Sequence, residues 1–296
     1  MKKREVTHGA PWWLRRVGTA LAVCSLVYVA VRFLEYRADL AVALVPRAVW
    51  LAVPALALLY AAGGVLLACA WRDLLATNGE RPGLRWSVGT YGLSQLAKYI
   101  PGNVFHFVSR QARGAADGLP HGVLGRSSLY ELLSLAAAGA IIGLWALPLV
   151  DGRLGWLSTP HAGAAVVVLG LLAARVTAGA RMARVLGAHL LILLFGAVVF
   201  LWLLSLLDAL PDSAAWLSFC GAYTLAWLAG FATPGAPAGL GVRELVLLFL
   251  LRGDVQDEEL LLAVTLARVI SVLGDTLFFC AAAWAASGLS LKKALP

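Results

Sequence analysis

The fold of this chain is decided by the stretch Ser94-Gln95-Leu96-Ala97-Lys98-Tyr99-Ile100-Pro101-Gly102-Asn103. Apolar residues surround Lys98 in this stretch, and Pro101-Gly102 then interrupts the helical pattern. The chain resumes with His106, Arg110 and Arg113 at spacing i, i+4 and i+7, which places three nitrogen-bearing side chains on one helix face. Inside a membrane, such charges and the unpaired backbone groups at a break are costly, so both features indicate a function.

Composition places the chain among polytopic membrane proteins. Of its 296 residues, 61% are hydrophobic and 14% are charged, whereas soluble proteins have roughly 45 to 50% and about 25%. Residues 1–16 form a basic N-terminus that we expect to be cytoplasmic. The apolar run that follows is too long for a signal-peptide core, which predicts a retained first helix. The net charge of +8 is scattered at the ends of apolar runs, a pattern typical of topology determinants and not of nucleic-acid binding.

Six apolar runs are long enough to cross about 30 Å of hydrocarbon. They lie at 17–34, 49–71, 126–149, 161–177, 185–207 and 260–286. Two further apolar regions, 88–110 and 215–251, are interrupted by proline and glycine, which disfavour a continuous helix. The interrupting residues are Pro101, Gly102, Pro234, Gly235, Gly239 and Gly241. Each region is therefore predicted to be a re-entrant helical hairpin.

Loop charge orients these elements, because lysine and arginine concentrate on the cytoplasmic side. The distribution favours six spans with both termini in the cytoplasm and hairpins that enter from opposite faces. Three crossings in each half predict an inverted repeat, with halves at 17–150 and 151–287 and a cytoplasmic tail at 288–296. The halves also match in detail, since Arg110 and Arg243 each follow their proline, Pro101 or Pro234, by nine residues. The prediction is an all-α protein of the inner (plasma) membrane with a transporter-like inverted repeat.

The charged residues within the membrane form the candidate site. Arginine and lysine beside a broken helix can clamp a lipid phosphate. The predicted headgroup-binding residues are Gln95, Lys98, His106, Arg110, Arg243 and Arg268, and the predicted charge-balancing residues are Glu131, Glu244 and Asp275. Arg268 and Asp275 are seven residues apart, about 10 Å along a helix axis, so they share a face but need separate partners. The alternative is that Lys98 and Arg110 snorkel to the headgroups and only hold the hairpin in register.

Aromatic and cysteine residues have simpler interpretations. The four cysteines lie in apolar runs without CxxC spacing, which predicts buried free thiols. Seven tryptophans lie near predicted span ends, where we expect them to anchor the chain at the headgroup level. They are Trp12, Trp13, Trp50, Trp71, Trp86, Trp156 and Trp216.

Catalytic motifs are lacking in the sequence. No Ser/His/Asp order, HExxH, P-loop or Cys/His metal spacing occurs, so we expect neither an enzyme nor a metal or cofactor. One alternative stays open, because Asp254, Asp257, Glu258 and Glu259 could bind a divalent metal in a transferase that acts on a polyprenyl-phosphate substrate. A charge run at a span boundary is more often a solvated loop.

The two motifs together resemble the lysylphosphatidylglycerol synthase transmembrane (flippase-like) family. The resemblance is carried by Gln95, Lys98-Tyr99-Ile100-Pro101-Gly102, Arg110, Glu131, Pro234-Gly235, Gly239-Leu240-Gly241-Val242-Arg243-Glu244 and Arg268. It implies movement of an anionic phospholipid, an aminoacyl-lipid or a polyprenyl-phosphate-linked sugar between leaflets. Because the sequence ends at Pro296, we expect neither the soluble synthase domain of the bifunctional members nor their lysine-transfer activity. The second motif departs from the usual glycine-rich form in its extra proline, Pro237.

The sequence thus predicts a lipid translocator whose ligand is a membrane lipid with a phosphate headgroup. Candidate protein partners are a second copy of the chain, as a homodimer, and a component of cell-envelope synthesis. A membrane protein that only organises an envelope-glycan complex is the remaining alternative, for which none of the buried charges would matter. For the translocator, sequence alone predicts that Arg110→Ala abolishes transport and spares folding.

Overall fold

The structure, a computed structural model, describes residues 47–100, 104–210, 213–233, 239 and 241–286. It is 88% helical, and the described residues contain no β-strand, which confirms the all-α prediction. The N-terminus 1–16, the expected first span 17–34 and the tail 288–296 lie outside the described residues.

Nine α-helices of nine residues or more carry the fold in the described part of the chain. They are α1 (Arg47–Thr77), α2 (Leu84–Gln95), α3 (Phe105–Ala116), α4 (His121–Gly143), α5 (Pro160–Thr177), α6 (Ala180–Leu206), α7 (Trp216–Ala232), α8 (Val242–Leu250) and α9 (Asp257–Ala286). A 3₁₀ turn over Leu96–Tyr99 extends α2, and a 3₁₀ turn over Leu144–Ala146 followed by the short helix Leu147–Val150 extends α4. Further 3₁₀ turns lie at Gly152–Ser158 and Ser213–Ala215.

Five of these helices are long and apolar enough to cross a membrane, as expected of a multi-pass membrane protein. They are α1, α4 with its extension, α5, α6 and α9, and they coincide with the apolar runs predicted from 49–71 onward. The helices begin earlier or end later than the apolar runs; α1, for example, continues through Arg72 and Asp73 to Thr77. The hydrophobic pattern does not mark these ends, because long charged side chains can reach polar surroundings while their backbone stays helical.

Both interrupted regions are broken where the prolines predict. The first broken region, Leu84–Ala116, contains α2 and α3, and the second, Trp216–Leu250, contains α7 and α8. Ile100 and Thr233, which precede the two prolines, have extended backbone angles, since a following proline disfavours the helical conformation. Pro101, Gly102, Pro234 and Gly235 lie outside the described residues, whereas Gly239 and Gly241 have positive φ angles of 73° and 79°.

Helix α9 lies at the centre of the packing. In the most apolar 18 residues of α9, 56% of the residues are buried, compared with 6% in α5, which lies at the periphery. It packs against α1, α2, α6 and α8, and α4 likewise contacts both α3 and α7. Helices α4 and α9 therefore each touch both broken regions. This arrangement brings the charges of α4 and α9 to the residues around the breaks.

Candidate functional site

Three ion pairs join the broken regions to the long helices. The first of them, between Arg110 of α3 and Glu131 of α4, is fully enclosed. Arg110 Nη2 lies 2.9 Å from Glu131 Oε2, and Nη1 donates a hydrogen bond of 3.0 Å to Oε1. The Tyr91 hydroxyl donates to the same Oε1 at 3.0 Å. Arg110 and Glu131 are only 1% and 2% exposed, so a ligand could reach this pair only after the surrounding helices moved.

Aromatic rings complete the enclosure of Arg110. Its guanidinium carbon lies 4.3 Å from the ring centre of Tyr91, 5.1 Å from that of Phe107 and 5.5 Å from that of Trp71, within cation–π range. Trp71 in turn stacks on Trp86 with 5.7 Å between ring centres. Trp71 and Trp86 are both buried within the protein, so neither ring faces the headgroups in the way that the anchoring prediction requires.

Asp275 of α9 is held by three side chains from the first broken region. Lys98 Nζ lies 2.6 Å from Oδ2, and the Gln95 side-chain amide donates to Oδ1 at 3.2 Å. The Tyr99 hydroxyl donates to Oδ2. Asp275 is buried, whereas the Lys98 side chain keeps 21% of its surface exposed. Lys98 is thus more accessible than Arg110 although it too has a carboxylate partner.

Arg268 of α9 makes the corresponding contacts with the second broken region. Its Nη2 lies 2.7 Å from Glu244 Oε1 and donates to Oε2 at 3.0 Å. The same nitrogen donates to the backbone carbonyl of Gly239 at 3.2 Å. Arg268 therefore holds α8 and the chain near the second break against α9. In the Arg110–Glu131 pair the arginine lies in the broken region and the acid in the long helix, and in this pair the two are exchanged.

Arg243 differs from the other three predicted cations. No carboxylate pairs with it among the residues that the structure describes, although Glu244 is its neighbour in sequence. Its guanidinium carbon lies 5.8 Å from the Trp227 ring centre, and its buried Nε finds no hydrogen-bond partner in the described chain. Arg243 is half-buried, and no acid in the described part of the chain forms an ion pair with it.

The two charges of α9 connect opposite broken regions. Arg268 binds the second region and Asp275 the first, and a seven-residue separation puts them about 10 Å apart along the same helix face. As the spacing predicts, they do not pair with each other. Helix α9 is thus the one described helix with an ion pair to each broken region.

His106 is placed differently from the paired cations. It is half-buried on α3, one turn from Arg110, and its Nδ1 is buried without a hydrogen-bond partner among the described residues. The structure brings His106 near Arg110, but no contact assigns it a ligand.

Two tyrosines at this site were missed by sequence reasoning. Tyr91 precedes Gln95 by one helical turn, so the polar face that includes Lys98 could have been extended back to it. Tyr60 carries no such signal, because it lies in the apolar run of α1 and meets Lys98 only in the folded protein. The three described cysteines are free thiols as predicted, but only Cys220 is buried, whereas Cys69 is half-buried and Cys280 is exposed.

The acidic run begins helix α9. Asp257, Glu258 and Glu259 lie in its first turn, where negative charge favours the positive end of the helix dipole. Asp257 and Glu258 are exposed. Within the described ranges, no three His, Cys, Asp or Glu side chains come together to hold a metal ion. Their position in the first turn suits them to stabilise the start of α9.

A fourth ion pair lies at the protein surface and can be compared with the three pairs described above. Arg184 Nε lies 2.9 Å from Asp73 Oδ2, and the two side chains are 60% and 25% exposed. Exposed pairs contribute little because water screens them, so Arg184→Ala should change the free energy of unfolding by no more than about 1 kcal/mol. Thermal unfolding in detergent, followed by circular dichroism, measures the change. A loss several times larger would show that this pair has a greater role than its exposure indicates.

Comparisons with known proteins assign neither a family nor a function to this chain. The chain matches no family model, no curated protein and no solved structure. The resemblance to the flippase-like family therefore stays a prediction from the two motifs.

Proposed function

We propose that this protein is a membrane lipid translocator that moves a lipid with a phosphate headgroup between leaflets. The observation that carries the proposal is the set of three ion pairs between the broken regions and the long helices. Ionised side chains are costly in a membrane interior and usually serve transport or ligand binding there. A merely structural helix bundle could use apolar contacts at the same places.

The proposed membrane arrangement has six spans, both termini in the cytoplasm of an inner (plasma) membrane protein, and two broken regions that re-enter from opposite faces. Five apolar helices of spanning length and the two helix breaks support it. The contacts of α4 and α9 with both broken regions fit two halves of inverted orientation. In this arrangement the broken regions meet between the leaflets, where a translocated headgroup must pass.

The candidate substrates share one recognisable group. An anionic phospholipid, an aminoacyl-lipid and a polyprenyl-phosphate-linked sugar all carry phosphate, which arginine and lysine bind by charge-assisted hydrogen bonds. Glu131, Glu244 and Asp275 each lie against one of the predicted cations. Carboxylate and phosphate therefore compete for the same donors, which lets a headgroup be bound and then released.

Purified protein in vesicles tests the proposal. We expect it to speed leaflet exchange of fluorescent phosphatidylglycerol or of a labelled polyprenyl phosphate above the rate in protein-free vesicles. Asp275→Asn should slow this exchange at least tenfold, about 1.4 kcal/mol in the barrier, because the neutral amide no longer sets the position of Lys98. The matched surface change Asp73→Asn should leave the rate unaffected. Protein-free rates for both labelled lipids would contradict the proposal.

The acidic run separates translocation from the alternative transferase. The triple variant Asp257→Asn, Glu258→Gln, Glu259→Gln should keep lipid exchange within about twofold, because a loss of helix-dipole stabilisation of about 0.3–1 kcal/mol per charge leaves the fold intact. Exchange is measured in the same vesicles after equal incorporation of both proteins. Complete loss of activity in a folded triple variant would favour metal-dependent transferase chemistry.

A further inference from the structure

The Lys98 ammonium lies in a site made of one carboxylate and two aromatic rings. Its Nζ is 2.6 Å from Asp275 Oδ2, 5.4 Å from the ring centre of Tyr99 and 5.9 Å from that of Tyr60. Both rings are within the range of a cation–π interaction. A carboxylate beside aromatic faces attracts an ammonium group whichever molecule carries it. We call Asp275, Tyr60 and Tyr99 the ammonium site.

The ammonium site is held by contacts that do not involve Lys98. The side-chain amide of Gln95 donates to Asp275 Oδ1 at 3.2 Å, and the Tyr99 hydroxyl donates to Oδ2. Tyr60 packs against Phe195 of α6, with 6.2 Å between ring centres. The site can therefore persist when Lys98 turns away.

Gly274 lets helix α1 approach α9 closely enough to complete the ammonium site. A Cβ at this position would lie 2.7 Å from the Tyr60 Cβ and 2.8 Å from the carbonyl oxygen of Ala57. A side chain there would push the two helices apart, since packed interiors do not absorb such overlaps. The glycine that precedes Asp275 thus keeps Tyr60 beside this turn of α9.

Lys98 can leave its partner more easily than Arg110 can. The Lys98 side chain keeps 21% of its surface exposed, compared with 2% for Arg110. Its flexible four-carbon stem can move the ammonium while the backbone stays in place. A polar group that enters beside Lys98 can therefore come within reach of the Asp275 carboxylate.

Departure of Lys98 would leave Asp275 without a cation. Asp275 is only 3% exposed, and removal of one partner from a buried ion pair is unfavourable because the other charge stays desolvated. A headgroup with only a phosphate would draw Lys98 away and carry this penalty. A headgroup with one phosphate and one ammonium would pair with both side chains.

We propose that the site accepts a zwitterionic phospholipid headgroup by an exchange of ammonium groups. The primary ammonium of the lipid takes the place of the Lys98 ammonium beside Asp275 and the two tyrosine rings, and Lys98 binds the phosphate of the same headgroup. In phosphatidylethanolamine two carbons join the phosphate ester to the ammonium, so both groups can be bound by the neighbouring Lys98 and Asp275. This inference rests on the proposed function and narrows the substrate to a phospholipid that also carries a primary ammonium.

Lipid binding to the unmodified protein tests the exchange. The full chain in detergent is titrated with short-chain phosphatidylethanolamine, phosphatidylglycerol or phosphatidylcholine, and the bound lipid is quantified by native mass spectrometry. We expect phosphatidylethanolamine to bind at least about tenfold more tightly than phosphatidylglycerol, because it leaves no buried carboxylate unpaired. Phosphatidylcholine should bind more weakly than phosphatidylethanolamine, because its trimethylammonium has no N–H to donate to Asp275.

Three variants separate the ammonium site from general lipid binding. In Asp275→Asn the preference for phosphatidylethanolamine over phosphatidylglycerol should fall to within about twofold, because the carboxylate that needs a cation is gone. Tyr60→Leu removes one ring and should weaken binding of phosphatidylethanolamine more than binding of phosphatidylglycerol. The surface change Asp73→Asn should leave the preference unaltered.

Equal affinity of the unmodified protein for phosphatidylethanolamine and phosphatidylglycerol would overturn the exchange, whether or not the variants fold. Tighter binding of phosphatidylcholine than of phosphatidylethanolamine, or a preference that persists in Asp275→Asn, would overturn it as well. Leaflet exchange of acyl-chain-labelled lipids is measured separately in vesicles. A binding preference without leaflet exchange would support the ammonium site and contradict the translocator, whereas leaflet exchange without the preference would do the reverse.

Discussion

Arg110→Ala is expected to lower the free energy of unfolding by about 3–5 kcal/mol, because it leaves a buried carboxylate without its cation. Glu131 is 2% exposed and would keep one described donor, the Tyr91 hydroxyl. A loss of this size approaches the whole stability of many proteins, about 5–15 kcal/mol. We therefore expect little monodisperse protein by size-exclusion chromatography in detergent and a large fall in the thermal midpoint. This replaces the expectation from sequence alone that Arg110→Ala spares folding.

The double variant Arg110→Leu, Glu131→Leu tests whether the unpaired Glu131 carboxylate causes the loss of stability in Arg110→Ala. It removes both charges and fills the space with apolar groups, so most of the lost stability should return. Arg184→Ala removes an arginine from an exposed pair and serves as the control. Equal instability of the single and double variants would mean that the aromatic packing around Arg110, and not the unpaired acid, sets the cost. If the double variant folds, its vesicles can also be assayed for lipid exchange.

Gly239→Ala is expected to damage the second broken region severely. Gly239 has a φ angle of 73°, and a Cβ there would lie 2.7 Å from the Cα of Gly230. Such a backbone contact cannot be relieved by rotating a side chain. Overpacking of about 1–3 kcal/mol then adds to the cost of a left-handed alanine. We expect a stability loss on the order of 3 kcal/mol and loss of lipid exchange, since the Gly239 carbonyl also binds Arg268.

Gly79→Ala separates the cost of the left-handed backbone from the cost of the close contact with Gly230. Gly79 has a φ angle of 97°, but nothing lies within 4 Å of the position where its Cβ would be. The change should therefore cost only the backbone strain, about 1–2 kcal/mol, and leave lipid exchange intact. Thermal unfolding of both variants in the same detergent gives the comparison. Equal losses at the two positions would show that the Gly230–Gly239 contact is not close in the folded protein.

Local patterns were enough to predict the helices and the breaks. Hydrophobic runs mark α1, α4, α5, α6 and α9 because burial in hydrocarbon acts on each run separately. Proline restricts its own residue and the preceding one, so the extended backbones of Ile100 and Thr233 follow from the neighbouring prolines. Spacing also predicts that Arg268 and Asp275 do not pair, since helix geometry alone separates them.

The roles of the cations were not predictable in this way. Sequence reasoning grouped Lys98 with Arg110 as one clamp, whereas the folded chain encloses Arg110 in three rings and leaves Lys98 partly exposed. Tyr60 gave no signal that separates it from ordinary apolar residues, and Tyr91 gave only its position one helical turn before Gln95. Exposure and ring contacts depend on which helices become neighbours, and local sequence patterns do not determine those neighbours.

By itself the sequence determined an all-α protein with spanning-length apolar helices and two proline-marked breaks, because these properties arise from interactions along short stretches of chain. The tertiary structure alone decided which acid holds which cation. Tyr99 and Asp275, for example, meet across 176 positions of sequence. Such contacts form only when helix packing brings α9 between the two broken regions. The burial of each charge, and hence its availability to a phosphate, is a property of that packing.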